Sequence, residues 1–131
     1  MSAVLTFRDF QPGAILGRRS LTLDRALLRP WEDLFPAEAP LSTAVPAGLL
    51  TAMMLRTYAQ LVTPRPPGNI RARQRFELLA LPPVGARVTT ELRCLGKEIR
   101  NGRRQVHFGA EMCDRAGSPL LIERSTILWA A

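Results

Sequence analysis

The sequence is poor in the residues that build metal centres and disulfide frameworks. Its 131 residues hold one histidine, His107, and two cysteines, Cys94 and Cys113, which lie far apart and outside any Cys-x-x-Cys spacing. A zinc site draws on three or four convergent ligands, so no metal is expected, and no cofactor is called for. Reduced thiols suit the sequence better than a disulfide, although two cysteines allow one. No run of 18 apolar residues occurs, which excludes a membrane-spanning helix. The stretch Met1–Phe10 carries Arg8 and Asp9 and lacks the apolar run of a secretory signal. The expected address is therefore the cytoplasm. Repeats and low-complexity tracts are also missing.

Lysine is nearly absent. All 18 basic residues are arginine except Lys97, and the net charge is +7. A positive chain invites a nucleic-acid reading. The arginines, however, are spread along the whole chain rather than gathered in a block, which argues against it. A small phosphate-bearing ligand such as coenzyme A fits the same field. Apolar residues make up 47%, enough for a core, and the length suits one domain spanning residues 1–131.

The segment Leu5–Gly17 reads as a lead-in with a turn at Gln11-Pro12-Gly13. Arg18–Leu23 reads as a short strand, and Arg25–Trp31 as a short helix interrupted at Pro30. Glu32–Pro46, with Pro36, Pro40 and Pro46, reads as an extended loop of the kind that serves function or covers something. Ala47–Val62 is apolar nearly all round, so as a helix it must be buried on most sides. The prolines Pro64, Pro66 and Pro67 with Gly68 end it.

Strands and turns follow. Ile70–Leu79 alternates Ile70, Ala72, Gln74 and Phe76 against Arg71, Arg73, Arg75 and Glu77. Arg87–Lys97 alternates Val88, Thr90, Leu92 and Cys94 against Thr89, Glu91 and Arg93. Asn101-Gly102 is a hairpin signal. Arg103–Asp114 puts Val106, Phe108, Ala110 and Met112 on one face, and Pro119–Trp129 is a last, largely apolar strand. A buried helix and an antiparallel sheet cover each other if the sheet curls around the helix. That α+β arrangement leaves an edge strand unpaired, which edge-to-edge pairing of two copies would remove.

This order resembles the hot-dog superfamily, and particular stretches are similar to its MaoC-like dehydratase branch, which includes the (R)-specific enoyl-CoA hydratases. Phe7-Arg8-Asp9-Phe10-Gln11-Pro12-Gly13 resembles that branch's opening phrase. Val45-Pro46-Ala47-Gly48-Leu49-Leu50-Thr51-Ala52 resembles its helix entry, and Arg75-Phe76 with Pro83-Val84-Gly85 its strand and turn. The resemblance implies a hot-dog fold, a curved antiparallel sheet around one long helix. It implies an acyl-CoA or acyl-carrier thioester as ligand and a homodimer or higher oligomer. The branch's signature, Asp-x-Asn-Pro-x-His, supplies an Asp and a His that activate water, while a helix N-terminus polarises the thioester carbonyl. The corresponding stretch is Asp33-Leu34-Phe35-Pro36-Ala37-Glu38. Asp33 and Pro36 match; Phe35 stands at the Asn position, Glu38 at the His position, and Ala47 at the His of the helix-entry His-Gly pair.

The candidate catalytic residues are thus Asp33 and Glu38, since burial can tune a carboxylate towards neutrality and let it replace a histidine. The plain alternative is a pair of loop carboxylates that face water. Ala47 and Gly48 are candidate substrate-binding residues, because glycine at a helix start lets a ligand carbonyl reach free N–H groups. Close packing of the helix end explains Gly48 equally well. Arg73 and Arg75, together with Arg71, are placed by alternation on one strand face. They could meet coenzyme A phosphates, or form a solvated face paired with Glu77, Glu91 or Glu123. His107 is expected on the sheet face away from the helix. Two functions follow: an enoyl-CoA hydratase/dehydratase-like or carboxylate-dependent thioesterase enzyme, and a non-catalytic acyl-CoA-binding or partner subunit of a hot-dog hydratase.

Overall fold

The computed structural model describes residues 3–36 and 43–131. Its first strand, β1 (Ile15–Thr22), leads into helix α1 (Arg25–Leu34); helix α2 (Ala47–Leu61) follows, then β2 (Ile70–Leu78), β3 (Arg87–Arg100), β4 (Arg103–Cys113) and β5 (Pro119–Leu128). The five strands form one antiparallel sheet in the order β1-β3-β4-β5-β2. The strand that follows the long helix therefore lies at the far edge of the sheet, and β1 forms the other edge.

Alternation decides which sheet face meets the helix. Val88, Leu92 and Cys94 of β3, Val106, Phe108, Ala110 and Met112 of β4, and Leu121 and Ile127 of β5 are buried. They enclose Leu49, Leu50, Met54 and Tyr58 of α2 in one core. Each fully buried side chain of that size contributes about 1.5–3 kcal/mol. Aromatic edges meet faces at the centre: Tyr58 and Phe10 lie 5.3 and 5.4 Å from Phe108, and Trp129 lies 4.7 Å from Phe10. The lead-in segment closes this end of the core. Phe7 N–H donates to the Ala131 carbonyl at 2.9 Å, and Trp129 Nε1 donates to the Leu5 carbonyl at 2.8 Å. The β3–β4 hairpin turns on Asn101-Gly102, both at positive φ (52° and 73°), as the dipeptide demanded.

Helix α2 is buried on most sides, as its apolar surface requires, and Arg56, Ala59 and Gln60 form its one exposed stripe. Two sequence expectations are corrected. First, α1 does not stop at Pro30. Asp24 caps its start by accepting from Leu27 N–H at 2.9 Å, and the helix continues to Leu34. Pro30 removes one amide donor, but Ala26, whose carbonyl loses that donor, faces solvent, while Leu28 anchors the opposite face. Second, a β-bulge in β2 separates Arg71 from Arg73 and Arg75. Arg71 lies opposite Ile127 and Arg73 opposite the next residue back, Thr126, so Ala72 is the extra residue. Arg71 shares the core face; Arg73 and Arg75 share the outer face.

Candidate functional site

The entry of α2 is built from small residues. Pro46 precedes the helix and offers no side-chain cap, while its carbonyl accepts from the Leu49 and Leu50 amides at 3.1 and 3.3 Å. Ala47 and Gly48 are half-buried in this first turn. Gly48 is covered by Trp31 of α1: a Cβ at position 48 would meet the indole at 2.5 Å. Trp31 in turn stacks on Phe35, with ring centroids 4.6 Å apart. The glycine therefore admits an aromatic ring from the chain itself.

Asp33 belongs to α1 rather than to a loop, and its side chain faces solvent. Glu38 lies outside the described residues. Arg73 and Arg75 project from the outer face of the sheet, opposite Thr126 and Arg124 of β5. With His107 and Leu95 they line a groove of about 680 Å³. Leu95 lies across Gly109, where even a methyl group would come within 3.0 Å of it. His107 faces outward as expected, its Nδ1 2.8 Å from Thr126 Oγ1. Arg73, Arg75 and Arg124 form no ion pair among the described residues. Arg93, the next arginine in the row, is already held by Glu91 at 2.7 Å.

One arrangement escaped the sequence reading. Glu123 and Ser125 lie on the core face of β5, 2% and 5% exposed. Arg71 reaches Glu123 Oε1 at 3.6 Å and stacks over the Tyr58 ring, 4.8 Å from its centroid. Arg65 approaches the same ring at 5.7 Å. Burial raises the Glu123 pKa above its ordinary value; Ser125, Arg71 and Gln74 oppose the rise without overturning it. Burial also raises the Tyr58 pKa, against the pull of Arg71 and Arg65. The signal for this cluster was present but ambiguous. In Leu120–Trp129 both phases of the alternation carry apolar residues, so Glu123 could be assigned to either face. Glu123 does pair with an arginine, as expected, but from the core face and not the solvated one.

Cys94 and Cys113 are free thiols, and no described helix is long and apolar enough to cross a membrane.

No protein-family model matches the chain, and no curated protein matches its sequence. Solved structures do. A MaoC-like dehydratase from Rhodospirillum rubrum superposes with a TM-score of 0.78 at 15% identity, covering 97% of this chain and 98% of its own. An (R)-hydratase from A. caviae involved in PHA biosynthesis gives 0.76 at 15% identity, covering 94% and 99%. A hypothetical thioesterase protein from Streptococcus pneumoniae, solved with coenzyme A, gives 0.61 at 10% identity, covering 87% and 77%. Likeness at such identities is one of architecture, and on that ground the chain has the hot-dog fold that MaoC-like dehydratases and (R)-hydratases share.

Proposed function

We propose that this chain binds acyl-CoA thioesters and holds them without hydrating them. The observation that carries the reading is Trp31 packed on Gly48. A hydratase of this branch would bring the thioester carbonyl to a helix entry, and here an indole ring occupies the approach. The exposed position of Asp33 on α1 supports the same reading, since a general base works from a site that shields it and sets its geometry. The nucleotide end of the ligand is assigned to the outer groove, where Arg73, Arg75 and Arg124, without ion pairs among the described residues, offer guanidinium groups suited to phosphate oxygens. The likeness to a thioesterase protein solved with coenzyme A supports that class of ligand.

The test is a thermal and calorimetric titration of the whole chain with acetyl-, butyryl-, crotonyl- and hexanoyl-CoA, run beside a turnover assay. Binding without turnover is expected, with stabilisation of about 2.7 kcal/mol at a hundredfold excess over Kd. Arg73→Ala and Arg75→Ala should each weaken binding of every thioester alike. Hydration or hydrolysis that disappears in Asp33→Asn or Glu38→Gln would overturn the non-catalytic reading in favour of an enzyme. Indifference to every thioester would remove the ligand class itself.

A further inference from the structure

The outer face of the sheet carries a second groove beside the one assigned to phosphates. In the row that crosses β3, β4 and β5, Arg93 lies opposite Gly109, and Gly109 opposite Arg124. A glycine between two arginines leaves a gap in the side-chain layer. With neighbouring strands about 4.8 Å apart, the two arginine Cα atoms stand about 10 Å apart across it. Leu95 forms the floor of that gap. It is the extra residue of a β-bulge in β3: Cys94 opposes Phe108, and Gly96 opposes the next residue back, His107. Bulges re-aim side chains, and this one lays Leu95 across Gly109, 3.0 Å from where a methyl group would stand. Leu95 keeps 46% of its surface exposed. With Leu95 in place, a groove of about 160 Å³ remains, lined also by Arg93, Arg124, Ile122 and Glu111. A cavity of about 150 Å³ holds a benzene ring, so this open groove has room for a flat heteroaromatic base. Leu95 and Arg124 line the 680 Å³ groove as well, so the two grooves adjoin.

We propose that this smaller groove receives the adenine base of the coenzyme A moiety; the inference rests on the thioester reading above. Leu95 and Ile122 offer apolar surface to the face of a ring. Guanidinium groups on either side of a gap about 10 Å wide are each about 5 Å from a ring midway between them, inside the roughly 6 Å over which a cation is drawn to an aromatic face. Arg93 is already held by its 2.7 Å ion pair with Glu91, so this wall is set before a ligand arrives. Glu91 is shared with Arg18 at 2.7 Å. Glu111, by contrast, forms no ion pair among the described residues and accepts a weak thiol contact from Cys113 at 3.5 Å. Its carboxylate is left to accept from an amino group on the ring edge. Adenine carries such a group, whereas hypoxanthine carries a carbonyl there, which a carboxylate repels. The phosphates of the same ligand then reach Arg73 and Arg75 in the adjoining groove, with Arg124 as the wall common to both.

The experiment is a calorimetric titration of the full chain with AMP, IMP and ribose 5-phosphate, which differ in the base alone, run beside butyryl-CoA. AMP is expected to bind about tenfold or more tightly than ribose 5-phosphate, the scale of one stacked base. It is expected to bind about threefold or more tightly than IMP, the scale of one hydrogen bond in a groove open to water. Leu95→Ser should erase most of the first advantage. Glu111→Gln should erase the second, because an amide accepts from the amino group of adenine and donates equally well to the carbonyl of hypoxanthine. Equal affinity for AMP and ribose 5-phosphate, or AMP bound no better than IMP, overturns the inference, and butyryl-CoA binding in the same experiment then leaves the thioester reading standing. A full preference for AMP over IMP that persists in Glu111→Gln also overturns it. Butyryl-CoA ignored while the order of the three small ligands holds removes the thioester reading and leaves the base site. Indifference to all four removes both. The order of the three small ligands on the unaltered protein decides the matter by itself if either variant does not fold.

Discussion

At the scale of single residues, the pairing of Gly48 with Trp31 links sequence, packing and function. Alanine normally stabilises a helix relative to glycine by about 1 kcal/mol. Here the added methyl would lie 2.5 Å from the indole, so overpacking of about 1–3 kcal/mol should outweigh that gain and Gly48→Ala should destabilise the protein. In a Trp31→Ala background the same change should stabilise. A double-mutant cycle by urea denaturation measures the reversal, and additivity of the two changes would contradict the contact. Glu123 gives a pH signature. Its folded-state pKa is raised above the ordinary 4.5 by burial, so the folded protein holds a proton that the unfolded chain has released. Its contribution therefore falls as pH rises from about 4.5 through the raised value, and is lowest above it. Glu123→Gln should thus compare more favourably with the unaltered protein at pH 8 than at pH 4.5, whatever the offset at either pH. Glu91 has the opposite sign, its pKa lowered chiefly by Arg93. It adds stability above pH 4.5 that is lost as pH falls below that value, so Glu91→Gln should compare less favourably with the unaltered protein at pH 7 than at pH 3. These residue-level facts were only partly legible. Gly48 was visible as a place of close approach, but nothing in the sequence says that the approaching group is Trp31, because that contact joins separate elements.

At the scale of elements, legibility followed the strength of the local signal. Ala47–Leu61 was readable from its apolar surface, and the β3–β4 hairpin from Asn101-Gly102. Both signals are local and physical: one has no soluble alternative, the other supplies positive φ at two adjacent positions. Helix α1 was misjudged because proline was weighed as an obstacle. Its cost depends on whether the orphaned carbonyl can reach water, and an exposed helix face allows that. Strand β2 was misjudged because alternation was extrapolated through a bulge, and a bulge leaves little mark in a sequence when the inserted residue is as neutral as Ala72.

At the scale of the molecule, α2 and the sheet explain each other, and this mutual cover made the fold predictable before any single contact. Among the described residues, five strands in an open sheet leave two unpaired edges, β1 and β2. Edge strands invite pairing with another copy, and we propose that two chains join along such an edge. Sedimentation should report twice the 14.5 kDa chain mass, and a concentration-independent monomer would refute the pairing.

The bulge at Ala72 has a further consequence for how this chain tolerates changes in length. On either side of it, Arg71 and Arg73 already oppose consecutive residues of β5, Ile127 and Thr126. A chain shortened by that alanine would present an uninterrupted ladder in the same register, with Arg71 still turned towards Glu123 and Arg73 still turned towards water. The insertion is thus a spare link whose loss would relax the local twist while sparing the pairing, whereas dropping a residue elsewhere in the strand would turn part of it inside out.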